Sequence, residues 1–454
     1  MMTHNSKSTR RRFLMQTLTA SASALAIPHL IPASALGLGE SVAPSNRITV
    51  GMIGVGRQVL AYNLPFFVSQ PDCEVVALCD VDRWRLEVTE ERTASYYGEK
   101  KNRCPKIPKC PKYVDFREVL DRQDVDTVMI STPDHWHVPM SVLAIKAGKD
   151  VSCEKPLTRS IAEGRLLSDL VTRHKRVFRT DSEFRSLRQF QRAVELVRNG
   201  RIGKLHTIRT GVPYGVLHSE KSPVHVDMPV PKELDYDLWQ GPAPERPYTE
   251  ARVHRSKDYE RPGWFNIRDY GHGQILNWTT HLNDIAQWGN NTERTAPVEV
   301  EGLGKYPPPG TLWDVCFEFE FTCTYANGVR LICKTEAPYT RFEGEAGWIQ
   351  ANFSGPDKLV AEPKSLLDSK IGPQELHFPL LHEKRDFLDA VKTRGQTLED
   401  AEVGHRTSTV GHLGHIAIQL GRKLKFDPDK ERFIGDDEAN KMLALPPGRS
   451  SWAV

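Results

Sequence analysis

A chain of 454 residues is longer than one hydrophobic core ordinarily serves, and it predicts two or three domains. Hydrophobic residues at 39% and charged residues at 26% are the proportions of a soluble globular protein. The formal net charge of +3 is spread without a basic stripe beyond the N-terminus, which argues against nucleic acid as a partner.

The first forty-five residues read as an address and a linker. Thr9 to Met15 (Thr-Arg-Arg-Arg-Phe-Leu-Met) precedes a mild apolar stretch from Leu18 to Ile31, and small residues follow at Pro32-Ala-Ser-Ala35. A basic start, a short apolar run and an Ala-x-Ala site are the layout of an export signal. The arginines followed by Phe-Leu resemble a twin-arginine signal. The expected location is therefore the periplasm, or export by the twin-arginine route. The apolar run is too short and too rich in Ala, Ser and Thr for a membrane span, so none is expected in the mature protein. That route carries folded proteins, so a cofactor loaded in the cytoplasm would travel inside its site.

Residues 46–182 alternate strand and helix signals. Arg47 to Ile53 is an apolar strand leading into Gly54-Val-Gly56-Arg57-Gln58-Val59. The first glycine permits a tight turn, and the second lets backbone approach a pyrophosphate. The following helix N-terminus favours the anion. Val59 stands where the full fingerprint has a third glycine, so helix and strand are expected to pack slightly farther apart. The next strand, Glu74 to Cys79, ends at Asp80, and 80 − 56 = 24 positions after Gly56 is near the spacing for an acid on the adenosine ribose. Asp80 has a second reading, as the N-cap of the helix from Arg83 to Tyr97.

Of the eight cysteines, Cys73, Cys79, Cys153 and Cys333 read as small core residues in apolar strands. Cys104 and Cys110 share a loop, where export would permit a local disulfide and a two-cysteine metal site is the weaker alternative. Phe116 to Asp121 is a short helix. Asp126 to Pro133 is a buried strand, and Val138 to Ala147 a helix closed by Gly148. Asp150 to Cys153 is the next strand, with Glu154-Lys155-Pro156 at its carboxyl end, the edge at which open α/β sheets bind ligands. A helix from Glu163 to His174 and a strand from Arg176 to Arg179 complete the alternation, for which one doubly wound domain of six strands is expected.

Residues 183–454 change period. Leu187 to Asn199 is a helix ended by Gly200, and Leu205 to Gly211 a strand. Met228 to Pro247, rich in Pro and Asp, reads as a long surface loop with a functional role. Val298–Gly302, Val315–Tyr325 and Val329–Thr335 alternate as strands, with a hairpin turn at Ala326-Asn-Gly328. The expectation is an α+β layer with a large, mainly antiparallel open sheet, whose exposed face suits a homodimer or homotetramer. Gln274 to Gly289 is a helix that places Asn277 and His281 on one face, with Asp284 three residues beyond. A histidine on a rigid helix is a good acid–base group; the plainer reading is a core histidine satisfied by hydrogen bonds. Arg268, Asp269 and Tyr270 precede this helix as candidates for a substrate wall. His405, His412 and His415, around a helix from Arg406 to Leu420, read as packing or interdomain contacts.

Taken together, the glycine run, Ser131-Thr-Pro133 with Asp134-His-Trp-His137, Glu154-Lys155-Pro156 and the Asn277-x-x-x-His281 pair resemble the Gfo/Idh/MocA family of sugar and polyol oxidoreductases. Arg341-Phe-Glu-Gly344 and Gly404-His-Arg406 extend the likeness, which runs over nearly the whole chain after residue 46 and is nearest to an exported branch. It implies a Rossmann domain followed by the α+β domain. It implies dinucleotide binding by Gly54, Gly56, Arg57, Gln58, Asp80, Thr132, Pro133, His137, Glu154 and Lys155. His137 has an alternative as a helix cap. The cofactor is expected to be NAD rather than NADP, because the Asp80 carboxylate repels a 2′-phosphate. In the family the lysine touches both nicotinamide and substrate hydroxyl, and the histidine of an Asp-x-x-x-His pair takes the hydroxyl proton. That makes Lys155, His281 and Asn277 the catalytic candidates, with Asn277 a departure because an amide cannot raise a histidine's basicity as a carboxylate would. No metal is required. The implied substrates are sugars, polyols or glycosides. The rivals are a redox-neutral glycosidase or lyase working through a keto-sugar, and a sugar- or nucleotide-binding protein without catalysis.

Overall fold

The computed structural model describes residues 42–99, 110–214, 222–446, 448–449 and 452. The residues read as an export signal, and Cys104, lie outside the described residues. Cys110 is half-buried, and its Sγ donates to the Val75 carbonyl at 2.8 Å.

Six apolar runs pair as one parallel sheet: β1 (Ile48–Ile53), β2 (Cys73–Cys79), β3 (Lys112–Tyr113), β4 (Thr127–Ile130), β5 (Asp150–Glu154) and β6 (Phe178–Asp181), in the order β3-β2-β1-β4-β5-β6. Strand period two sends Val50, Met52 and Met129 to one face and Ile53, Val128 and Ile130 to the other. Each face is covered by helices. On the first lie α1 (Leu64–Ser69) and α2 (Arg83–Gly98). On the second lie α3 (Phe116–Leu120), α4 (His137–Lys146) and α5 (Ile161–His174). With both faces buried, these strands are apolar throughout rather than alternating. The chain enters α1 through a π turn at Val59–Asn63, where Val59 is fully buried. The wider π coil makes room for a side chain where a third glycine would have none.

The strand registers Ile53↔Ile130, Ile130↔Cys153 and Glu154↔Asp181 align the carboxyl ends of β1, β4, β5 and β6. Gly54, Asp80, Ser131, Lys155 and Ser182 therefore leave the sheet along one edge.

After α6 (Arg188–Arg198) and β7 (Leu205–Val212), a second sheet of nine strands runs β13-β12-β11-β7-β10-β9-β8-β14-β15. Its members are β8 (Glu299–Lys305), β9 (Glu318–Thr324), β10 (Arg330–Thr335), β11 (Tyr339–Gly344), β12 (Gly347–Asn352), β13 (Leu359–Glu362), β14 (Leu424–Asp427) and β15 (Arg432–Phe433). Its pairs are antiparallel except β7 with β10. The turn at Asn327-Gly328 closes the β9–β10 hairpin, with Gly328 at φ +86°.

Between β7 and β8 lie α7 (Tyr236–Gln240), α8 (Gln274–Asn277) and α9 (Thr279–Asn290). Two sequence expectations change here. Residues 228–247 are partly packed and partly surface: α7 interrupts them, Leu234, Trp239 and Ala243 are buried in a local core with Tyr248, Val253 and Tyr270, and residues 228–230 and 244–247 are exposed. Aromatic burial outweighed the loop-like composition. The helix expected from Gln274 to Gly289 is broken at Trp278, because the hydroxyls of Thr279 and Thr280 bond back to the carbonyls of Ile275 (2.6 Å) and Leu276 (2.9 Å), which bends helices. Gly289 does not end it. The helix runs to Asn290 and closes on Asn291 in the left-handed conformation, while a Cβ at Gly289 would lie 2.3 Å from the Phe342 ring on β11. That glycine serves close helix–sheet packing.

From the C-terminal part, α10 (Glu383–Thr393) sets Phe387 and Leu388 into the core on one face of the first sheet, and α11 (Ala401–Leu420) packs along α5 and α9.

Candidate active site

The common edge of the first sheet opens into a cavity of about 600 Å³. Its wall takes in Gly54, Gly56, Arg57, Gln58, Asp80, Thr132, Pro133, His137, Glu154, Lys155, Asn277 and His281. Every residue that the sequence nominated for catalysis or dinucleotide binding thus meets one space. Arg268, Asp269 and Tyr270 do not line it. Arg268 and Asp269 pair with Asp314 and Arg246, and Tyr270 is fully buried against His135 and Trp239.

At one end the wall is mostly backbone. Gly54 sits at φ +81°, and a Cβ there would meet the Ser131 carbonyl group at 2.8 Å. A Cβ on Gly56 would lie 2.9 Å from Nη1 of Arg85. Such a cradle, which side chains would fill, fits a dinucleotide pyrophosphate. Asp80 does not cap α2; Asp82 does, accepting from Trp84 N at 3.0 Å. The Asp80 carboxylate turns back instead, accepting from Val55 N at 2.8 Å and Asp82 N at 2.9 Å. Burial raises its pKa, and Arg85 opposes the rise.

The other end is built of side chains. Glu154 is buried and accepts from Asn63 Nδ2 at 3.1 Å, while the same amide donates to Ser131 Oγ at 2.8 Å. Asn63 thereby ties the π turn to the exits of β4 and β5. Burial and then the Asp181 carboxylate raise the Glu154 pKa, with Lys384 and Lys155 pulling it back. Lys384, on α10, lies 3.0 Å from Asp181 and 2.9 Å from Glu383. Burial alone would lower its pKa, but those carboxylates and Glu154 raise it instead. It forms a second, committed ammonium under the wall. The Lys155 ammonium has no hydrogen-bond or ion-pair partner among the described residues. The Lys155–Pro156 peptide that follows it is cis.

His137 is the first residue of α4. Its Nδ1 lies 2.7 Å from the Pro156 carbonyl and its Nε2 3.0 Å from the Thr132 carbonyl. Burial lowers its pKa to about 4. The neutral ring carries one N–H, so it donates to one of these carbonyls and only approaches the other.

His281 is buried at the head of α9, and its ring stacks on Phe184 at 4.4 Å and 13°. Its Nδ1 is 2.8 Å from Ser182 Oγ and 3.7 Å from Glu183 Oε2. That leaves Nε2 to serve the cavity. Burial and then the Lys155 charge hold its pKa well below the ordinary histidine value, so the ring is neutral and can accept a proton at neutral pH. Asn277 also lines the wall, but no hydrogen bond joins it to His281 among the described residues. Asp284, three residues on, is turned away and accepts from Arg185 Nε and Nη2, each at 2.7 Å.

Sequence reasoning missed Asn63, Asp134, Asp181, Ser182, Glu183 and Lys384. Ser182 and Glu183 follow the sixth strand directly, but the sequence reading ends that strand at Arg179 and the structure carries it to Asp181, so the strand-edge rule that selected Lys155 falls two residues short of them. Asp134 is 5% exposed and lines the cavity, and its carboxylate takes no hydrogen bond from another described residue. Burial raises its pKa to about 7, opposed by Lys155 and Arg159. His412 lies 3.3 Å from the Thr158 carbonyl, and His272 packs edge-on to His412 and His415.

Comparison with known proteins agrees with this assembly. Residues 48–182 match the family description "Oxidoreductase family, NAD-binding Rossmann fold", and residues 195–454 match "Oxidoreductase family, C-terminal alpha/beta domain". The chain is 28% identical over 220 residues to glycosyl hydrolase family 109 protein 1 of Shewanella sp. (strain ANA-3), covering 48% of this chain and 44% of that protein. It is 27% identical over 209 residues to an alpha-N-acetylgalactosaminidase of Shewanella oneidensis, covering 46% of this chain and 41% of that one. The alignment spans less than half the length of these curated relatives. Among solved structures, the aldose-aldose oxidoreductase of Caulobacter crescentus complexed with glycerol superposes with a TM-score of 0.60 at 17% identity, over 84% of this chain and 100% of that one. That likeness is one of fold.

Proposed function

The chain belongs to the Gfo/Idh/MocA oxidoreductase family, and on that premise we propose that its cavity moves a hydride between a carbinol carbon of a sugar or polyol and NAD held in the same space. The observation that carries the reading is that Lys155 and His281, from separate parts of the chain, line one cavity with the glycine cradle. Gly54, Gly56, Arg57, Gln58 and Asp80 are the residues that would hold the dinucleotide, with Thr132, Pro133, His137 and Glu154 shaping the wall beside Lys155. Bound there, the nicotinamide supplies the hydride acceptor and donor.

The chain's own groups manage the proton. His281 Nε2 takes the hydroxyl proton, since the buried ring is neutral. The uncommitted Lys155 ammonium stabilises the oxygen as negative charge develops on it. Asn277 orients the substrate. For reduction of a ketone the same atoms act in reverse. Export in the folded state, proposed from residues 9–35, would let the nucleotide travel in the site. Extracting nucleotide from purified protein and screening sugars, polyols and glycosides for a change in nicotinamide absorbance tests the reading; a protein that keeps no nucleotide and reduces none with any sugar overturns it.

A second reading, a redox-neutral glycosidase or lyase, is favoured by Asp134 and by what the curated relatives are called. For an aglycone to leave C1 by elimination, the acidified hydrogen must be on C2 and the ketone on C3. The C2 proton then goes to a base, the C1–O bond breaks, and an acid protonates the departing oxygen. A cavity-lining carboxyl with pKa about 7 fits that last task. Release of free aglycone with no net nicotinamide reduction decides for it.

A further inference from the structure

We propose that Glu183, acting with Ser182, positions His281 and supplies from the exit of the sixth strand the carboxylate that Asn277 does not. The proposal rests on the assignment of His281 as the proton acceptor.

The geometry begins with the backbone. Ser182 and Phe184 are fully buried on either side of Glu183, so its Cα is fixed against the site. Glu183 occupies the N-cap position of the short 3₁₀ turn Phe184–Ser186, yet its side chain makes no capping bond. The carboxylate is turned to the cavity, 42% exposed, with Oε2 3.7 Å from His281 Nδ1. Ser182 Oγ lies closer, at 2.8 Å from the same nitrogen.

The charged and titratable groups around this pair are Lys155 from the β5 exit and Glu383 and Lys384 from α10. The other neighbours of the imidazole are the aromatic rings of Phe184 and Trp278. Of the carboxylates, only Glu183 is within ion-pair distance of the ring among the described residues.

Two consequences follow. If Nδ1–H donates to Ser182 Oγ, the lone pair of the neutral ring is on Nε2, the tautomer a proton acceptor needs. When Nε2 takes the substrate proton, the imidazolium forms beside Glu183 and opposite Lys155. The carboxylate offsets the repulsion between the two cations, and no proton passes to it. In the familiar Asp-x-x-x-His arrangement the acid comes from one turn earlier on the same helix. Here it comes from the exit of the sixth strand, beside the ring, which leaves Asn277 free for substrate.

The test reads the imidazole directly, in ¹⁵N-histidine-labelled, substrate-free protein, with His281→Gln used to assign the signal. Wild type should show the Nδ1–H tautomer. Burial raises the Glu183 pKa against the pull of Lys155, so the ring is read from neutral to alkaline pH. The Nδ1–H signal should shift as Glu183 ionises in wild type and not in Glu183→Gln, and Glu183→Asp should restore part of the shift. Ser182→Ala should mix the tautomers. Identical tautomer and titration in wild type and Glu183→Gln overturn the proposal. Because no sugar or hydride transfer enters the measurement, its failure is separable from failure of the oxidoreductase reading. Glutamine is isosteric at this half-exposed position, and the aspartate variant gives a second independent measurement.

Discussion

The two ends of the cavity are built by different physics. At the dinucleotide end one short run, residues 54–59, shapes the wall with backbone, and the nearest acid, Asp80, is the first residue after β2. At the proton-transfer end Lys155, Ser182, Glu183 and His281 come from three segments, and the closest contact, Ser182 to His281, spans 99 positions of sequence. A backbone cradle tolerates changes of side-chain chemistry but not of volume. A side-chain constellation does the reverse. The two ends should therefore fail separately, so that a single substitution disables one and spares the other.

The largest effect is expected at Lys155. Replacing it by Ala removes the uncommitted ammonium and should lower turnover of any sugar that the screen identifies by about 10³-fold. Dinucleotide affinity should fall much less than turnover, because the glycine cradle is untouched and only the contact at the nicotinamide end is lost. Stopped-flow absorbance with a parallel binding titration separates the two quantities. A comparable collapse in both would mean that the ends are not independent.

Asp134 comes next, and its effect depends on pH. Its folded pKa of about 7 lies above the ordinary carboxylate value, so between those two values the folded state binds more protons than the unfolded state. Stability contributed by the neutral carboxyl is then full at low pH and is lost as pH rises through 7. Asp134→Asn, which stays neutral, should be more stable than wild type above pH 7 by roughly a few kcal/mol, with the gap closing toward acid pH. Urea titrations at three pH values would show it. A variant less stable than wild type at alkaline pH would mean that the carboxylate is paired after all. If the glycosidase reading holds, the same variant should also lose release of alkyl aglycones more than release of nitrophenol, whose oxygen needs no acid to leave.

What was legible in the chain follows the same division. Glycine spacing, the acid 24 positions after Gly56 and the lysine at a strand end could be read because adjacency in sequence is adjacency in space there. The first sheet was legible from buried apolar runs and the β7 to β10 part of the second from strand period, whereas β3 and β11 to β15 were not read. Asn63, Lys384 and Glu183 were not, because each acts on a partner far along the chain. Asn63 looks like a polar interruption of an apolar helix until Glu154, 91 positions on, is folded against it. The helix break at Trp278 was hidden because Thr279 and Thr280 pass as helix residues until their hydroxyls turn back on the backbone. Gly289 was misread for a similar reason: a terminal glycine and a packing glycine look alike until Phe342 arrives beside one of them.

The smallest expected effect tests the dinucleotide end at Gly54. An alanine there adds one methyl group, but the backbone holds φ +81° and the new Cβ would lie 2.8 Å from the Ser131 carbonyl group. Relief by movement is costly, because Gly54 N is bonded to the Cys79 carbonyl and Ser131 N to the Ile53 carbonyl, each at 2.8 Å. The loop is thus pinned to two strands at the point where it would have to give. Together the strained φ and the contact should cost about 2 kcal/mol of folding stability. What strain remains in the native state should widen the cradle and weaken dinucleotide binding, whereas the His281 tautomer, set by Ser182 across the cavity, should be unchanged. Denaturant midpoint, binding titration and imidazole spectrum on one Gly54→Ala preparation give all three quantities. A shifted His281 spectrum would show strain crossing the cavity from backbone to side chains, and the division between the two ends would no longer hold.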